Sequence, residues 1–157
     1  MTEYCNFIGG RFIECETRAT IEVRNPADGE VFASVPAATE ADVIAAVNHA
    51  AEAQKSWSKL PAIERGNAMR RLADVIERKA PKIGEALARE SGKSLADATA
   101  EAIYGVELMR YHAEWARRIE GEVIESDTPD ETLMLKRAPI GVVVFIFTFN
   151  FQIYTLV

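Results

Sequence analysis

The twenty residues 138–157 carry no charged side chain, and within them Val142-Val-Val-Phe-Ile-Phe147 is unbroken in β-branched and aromatic residues. An apolar run without alternation is the pattern of a strand buried on both faces, as in a parallel sheet. Full burial of six such side chains is worth roughly 1.5–3 kcal/mol each, and only a sheet with neighbours and covering layers can supply it. The run therefore predicts an α/β chain. Thr148, Phe149 and Asn150 break the run where the strand would end, and open α/β sheets bind ligands beyond the carboxyl ends of their strands. Asn150 is the candidate site residue on that ground. Residues 138–157 also have the length of a membrane span, but Gly141, Asn150, Gln152 and the β-branched bias argue against one.

Charge and cysteine usage narrow the class. Acidic residues outnumber basic ones by 24 to 18, and no basic cluster or groove-reading motif is present, so nucleic acid is not an expected partner. The first residues, Met1-Thr-Glu-Tyr-Cys5, lack the basic and apolar regions of a secretory signal, and a cytoplasmic location is expected. Cys5 and Cys15 have neither CxxC spacing nor a nearby His, which predicts two unpaired thiols in a reducing compartment. His49 and His112 lie far apart inside helical patterns, so no metal site is expected from them.

Residues 6–12 and 20–24 read as short strands forming a hairpin or paired arm. Asn25-Pro-Ala-Asp-Gly29 is a turn, because Pro presets φ, Asn and Asp bond their own backbone, and Gly admits positive φ. One more short strand follows at 30–35. Thr39 with Asp42 opens a helix as a shortened capping box, with Val43, Val47, Ala50 and Ala51 as its packing face and Trp57 fastening its end. Pro61 starts a second helix with Met69, Leu72, Ala73, Ile76 and Ala80 buried. Pro81 should end or kink it, and a shorter continuation should stop at Gly92.

The Gly92-Lys93-Ser94 triplet is not a phosphate loop, since Leu87 stands where that motif needs Gly and a helix precedes it. Ser94 instead caps a helix of about 95–118. Ala98, Ala102, Val106, Met109, Ala113 and Ala116 form its inner face, with Glu101, Glu107, Arg110, Glu114 and Arg117 outside. Glu107 and Glu114 read as a solvated face, and Tyr104, Tyr111 and Trp115 as core and interface fillers. Gly121 closes this block. Two strand-like pieces follow within 122–137, around Ser126-Asp-Thr-Pro-Asp130, and lead into the apolar run.

Taken together, these residues resemble the N-terminal third of an NAD(P)-dependent aldehyde dehydrogenase. Phe7-Ile-Gly-Gly-Arg-Phe12 is similar to the family's opening strand, and Val23-Arg-Asn-Pro-Ala-Asp-Gly-Glu-Val31 to its Asn-Pro-Ala-x-Gly-Glu segment. Residues 53–57, 64–78 and 90–93 fit its helical block. Ala113-Glu-Trp-Ala-Arg-Arg-Ile-Glu-Gly-Glu-Val-Ile124 with Leu135-Lys-Arg-Ala138 is similar to the bacterial lactaldehyde/glycolaldehyde dehydrogenase branch. Pro139-Ile-Gly-Val-Val143 and Ile146-Phe-Thr-Phe-Asn-Phe151 resemble the family's Pro-x-Gly-Val strand and Pro-Trp-Asn-Phe-Pro signature.

The resemblance implies an incomplete Rossmann-like fold: short N-terminal strands, a helical block, a β-ribbon and one buried strand. Residues 1–157 would be the N-terminal part of a cofactor-binding domain, and 122–137 an oligomerisation arm through which copies or intact subunits could pair. It implies that Asn150 donates its side-chain amide to the oxyanion formed when a cysteine attacks a small aldehyde. Ile146, Phe147, Thr148 and Phe149 would touch the nicotinamide half of NAD or NADP. Three positions depart from the signature: Thr148 and Gln152 replace its prolines, and Phe149 its Trp. The family's nucleophilic Cys and general-base Glu would lie beyond Val157, and neither Cys5 nor Cys15 matches them. On this reading the chain is a truncated or partial polypeptide without aldehyde-oxidising activity of its own.

Overall fold

The structure, a computed structural model, describes residues 2–13 and 19–157. Strand β1 (Thr2–Glu3) is followed by a hairpin of β2 (Phe7–Ile8) and β3 (Arg11–Phe12). Gly9 and Gly10, with φ of 62° and 79°, make its two-residue turn, as a hairpin needing positive φ at both central positions requires. The Phe7 and Phe12 rings meet edge to face at 5.1 Å. β4 (Thr20–Arg24) runs antiparallel to β5 (Val31–Pro36), which pairs in parallel with β1 to give the order β1-β5-β4. The expected pairing of 6–12 with 20–24 is thus replaced by two local pairings. Each follows its own turn chemistry: Asn25 Oδ1 accepts from the Ala27 N–H at 3.0 Å, and Asp28 Oδ1 from the Glu30 N–H at 2.9 Å.

Cys5 is disulfide-bonded, which overturns the expected unpaired thiol there; Cys15 lies outside the described residues. Spacing identifies metal and redox motifs but does not say which loops fold back on one another. The thiol argument for a reducing compartment loses its premise.

Helix α1 (Glu40–Trp57) starts at Thr39 with a complete capping box: the Thr39 N–H donates to Asp42 Oδ2 at 2.8 Å, and the Asp42 N–H to Thr39 Oγ1 at 3.3 Å. No residue of α1 is buried, and Trp57 is 43% exposed. Its predicted packing face and its aromatic end are therefore largely open, with the β2–β3 hairpin approaching the helix at His49 beside Gly9.

Helix α2 (Ala62–Ser91) passes through Pro81 without a break and ends at Gly92, whose φ of 74° is left-handed. The expected termination at Pro81 fails for a tertiary reason. Ala73, Ala80, Gly84 and Leu87 are buried on both sides of an exposed Pro81, so packing holds the helix across its one missing N–H. Leu72, expected inside, is exposed.

The partner for that face is α3 (Leu95–Ala113), continued by a 3-10 turn at Glu114–Arg117. Ser94 caps α3, accepting from the Asp97 N–H at 3.1 Å. Ala98, Ala102, Val106, Met109 and Ala113 are buried as predicted, whereas Tyr104, Tyr111 and Trp115 are exposed rather than core fillers. The two helices run antiparallel, with Gly66 beside Ala113 and Gly84 beside Thr99. Small residues permit this backbone approach, and the core between them is Ala73, Val106 and Met109, edged by Met69, Ile76 and Val157.

Strands β6 (Glu122–Glu125) and β7 (Thr132–Leu135) form an antiparallel ribbon, exposed on all eight residues. Residues 142–147 then correct the opening expectation: they form no strand and are exposed, Ile146 to 95%. A ladder needs a neighbour, and the sheets among the described residues are built from 2–36 and 122–135, with none alongside this run. The tail ends in a short helix, α4 (Gln152–Leu156), which the apolar pattern did not indicate.

A Cβ added at Gly84 would stand 2.3 Å from Thr99 Oγ1 and 2.9 Å from Thr99 Cα. The clash includes backbone and outweighs the gain in helix propensity of about 1 kcal/mol that alanine brings. Gly84→Ala should destabilise the chain by about 1–3 kcal/mol, the usual range for overpacking, read as a lower urea midpoint at unchanged slope.

Candidate functional site

Asn150 lies in the turn between the apolar run and α4, and is exposed. Among the described residues nothing accepts a hydrogen bond from its amide, so both N–H donors are open. Phe149, beside it, is 87% exposed. The turn is nonetheless fixed from behind. Phe151, the residue before α4, provides no side-chain cap, and the cap arrives from α3: Glu101 Oε1 accepts from the Ile153 N–H at 2.8 Å and lies 3.4 Å from the Tyr154 N.

Glu101 was expected on the solvated face and is instead 4% exposed. A buried carboxylate must be paired to be tolerated. Its Oε2 accepts from the Lys93 ammonium, which also sits 4.6 Å from the centre of the Phe151 ring. A sequence signal for this existed: Ala98, Glu101, Ala102 and Gly105 follow helical spacing, so Glu101 belongs to the small-residue face. Lys93 is the lysine of the triplet rejected as a phosphate loop, and its partner is a carboxylate.

The far side of α4 seats on Gly105. A Cβ there would stand 3.1 Å from Val157 Cγ2 and 3.4 Å from Ile153 Cγ2. Gln152, where the resemblance has a proline, keeps its side-chain oxygen buried without a donor. The Asn150 turn is therefore carried by α3, and α3 by α2.

Ion pairs reinforce that helix pair. Arg110 donates to Asp74 at 2.9 Å and to Glu77 at 2.6 Å, and Arg70 to Glu114 at 2.9 Å. The hydrogen bond from Arg110 holds the Glu77 carboxyl below its usual range, and that from Arg70 does the same for Glu114. Glu114 is thus in an ion pair, while Glu107 is exposed.

Ile146, Phe147, Thr148 and Phe149 contribute backbone amides, apolar surface and one hydroxyl. None of the four is charged. A cavity of about 800 Å³ lies elsewhere, between the β2–β3 hairpin and α1 beside His49. Among the described residues no group of three or more His, Cys, Asp or Glu side chains could hold a metal ion, and no helix is long and apolar enough to cross a membrane.

Short sheets, an antiparallel helix pair, a ribbon and a terminal turn make this a mixed α/β chain. Residues 12–157 match the Aldehyde dehydrogenase family, and the chain belongs to it. Lactaldehyde dehydrogenase of Escherichia coli strain K12 is 35% identical over 150 residues, covering 96% of this chain and 31% of that protein. Alpha-ketoglutaric semialdehyde dehydrogenase of Bacillus subtilis is 36% identical over 151 residues, again 96% and 31%. Among solved structures, a 3,6-anhydro-L-galactose dehydrogenase in complex with NAP superposes with a TM-score of 0.92 at 32% identity, over 99% of this chain and 32% of that one. The chain thus spans about a third of the length of these relatives. NAD(P) belongs to this family's chemistry, as that complex and a related one with NAD indicate.

The lowered carboxyls set a pH dependence. Groups whose folded value lies below the ordinary 4.5 contribute fully above it, and lose that contribution as pH falls through the lowered values. Thermal stability should therefore fall between about pH 5 and pH 3. A Glu77→Gln/Glu114→Gln variant should show a shallower fall, measured by melts across that range.

Proposed function

We propose that this chain is the N-terminal part of an enzyme that oxidises a small aldehyde to a carboxylic acid with NAD(P), and that Asn150 is its oxyanion donor. The observation that carries this reading is the open Asn150 amide on a braced turn, at the position that resembles the family's signature. When a cysteine thiolate adds to the carbonyl carbon, the C–S bond forms and the π pair moves to oxygen. A neutral amide suits that oxygen, because it points fixed donors at the developing charge without itself titrating. Cys5 is tied in a disulfide and is not that nucleophile. NAD(P), when bound, supplies the hydride acceptor.

Two outcomes follow. The purified 157-residue chain should show no steady NAD- or NADP-dependent aldehyde turnover, and sustained turnover would refute the inactive-fragment reading. Grafted in place of the aligned third of E. coli lactaldehyde dehydrogenase, the chain should support lactaldehyde oxidation. Asn150→Ala in that chimera should lower kcat by about 10²–10³, the usual cost of one oxyanion donor; undiminished kcat would remove Asn150 from the chemistry.

A second reading rests on the ribbon. Val123 and Met134, paired across it, are 75% and 71% exposed, and its outer edges have unpaired backbone groups that invite another chain. We propose that 122–137 is an oligomerisation arm joining copies of this chain or intact dehydrogenase subunits. Co-purification with an intact dehydrogenase, lost on Val123→Lys/Met134→Lys, is the expected result, and no association would remove the reading.

A further inference from the structure

We infer that Glu101 and Lys93 form a positioning pair that fixes the turn bearing Asn150, an inference that rests on the oxyanion reading above. The contacts bracket that residue closely. Lys93 lies over the ring of Phe151, the next residue, and Glu101 takes the Ile153 N–H three positions on. Both arise from one buried charge pair, whose side chains are 22% and 3% exposed. A carboxylate at a helix N-terminus makes a charge-assisted bond aligned with the backbone dipoles, and here it is supplied by a different helix. Ile153 and Val157 seat α4 on Gly105 at the other end, so the turn is held against both sliding and rotation. This explains how the turn is kept in register where Thr148 and Gln152 stand in place of the signature's rigid prolines. Glu101 touches no reacting atom; it acts through the backbone that carries the donor.

The test uses the full 157-residue chain and amide NMR with hydrogen exchange. In Glu101→Gln, nearly the same shape, an amide oxygen can still accept from the Ile153 N–H but the charge is gone, so that amide should exchange roughly tenfold faster, as the change from a charged to a neutral acceptor implies. The Asn150 side-chain NH₂ resonances should shift, while Val106 in the α3 core keeps its protection. Glu101→Asp should restore part of the Ile153 protection, and Lys93→Met should lose part of it. Should Glu101→Gln fail to fold, Glu101→Asp and Lys93→Met decide: both keep a group able to occupy the site, and both should leave the Ile153 amide exchanging faster than in the wild type while Val106 keeps its protection. Unchanged Ile153 exchange, a Val106 loss equal to that at Ile153, or an unmoved Asn150 NH₂ each overturns the inference. Loss of activity in the Asn150→Ala chimera combined with unchanged Ile153 exchange would sink the positioning pair alone. Full activity of that chimera with altered exchange would sink the oxyanion reading and leave only an anchored helix.

Discussion

Helix α4 and the Asn150 turn are fixed through the α2–α3 contact, where Gly66, Ala73, Ala80 and Gly84 allow two helical backbones to approach closely. The contact is made mostly of methyl groups and bare glycine, and Val106 is the largest side chain fully buried anywhere among the described residues. Burying a methyl contributes only about 0.8 kcal/mol. Precision of fit, helped by the Arg110 and Arg70 ion pairs, therefore matters more here than bulk. The large apolar side chains lie instead on α1, the ribbon and the extended run, which this pair does not cover.

The site inherits its geometry from the same contact. Residues 138–151 have no ladder of their own, and an unpaired segment would have little reason to hold one conformation. What stops the drift is α4, seated on Gly105 and tethered through Glu101. A charge buried on the small-residue face of α3 is costly unless matched. Here the match comes from a lysine and from the unsatisfied N–H groups that every helix start presents. One carboxylate answers both needs, and the open amide of Asn150 lies just outside the tethered turn.

Local features could be read directly from the chain. The Thr39 and Ser94 caps, the Gly92 terminus, the Asn25 to Gly29 turn and the ribbon all depend on residues within a few positions of one another, and the structure has them as read. The inner faces of α2 and α3 were largely legible too, since helical spacing is local geometry. Reading failed where the outcome depended on distant partners. Residues 142–147 have the composition of a buried strand but no neighbour to pair with, the face of α1 is left mostly exposed, and Pro81 is carried through by packing on α3. Glu101 was misplaced because its charge outweighed its spacing.

The sequence by itself determined the family, the helix caps at Thr39 and Ser94, the turns and the residue type at Asn150, because propensity, capping and motif spacing act over short stretches of chain. Only the tertiary structure decided that Glu101 is buried, that Lys93 answers it, that Cys5 is bonded and that the apolar run stays exposed. Those outcomes turn on which segments meet across many residues, and the cost or gain of burying a group is set by its neighbours in space.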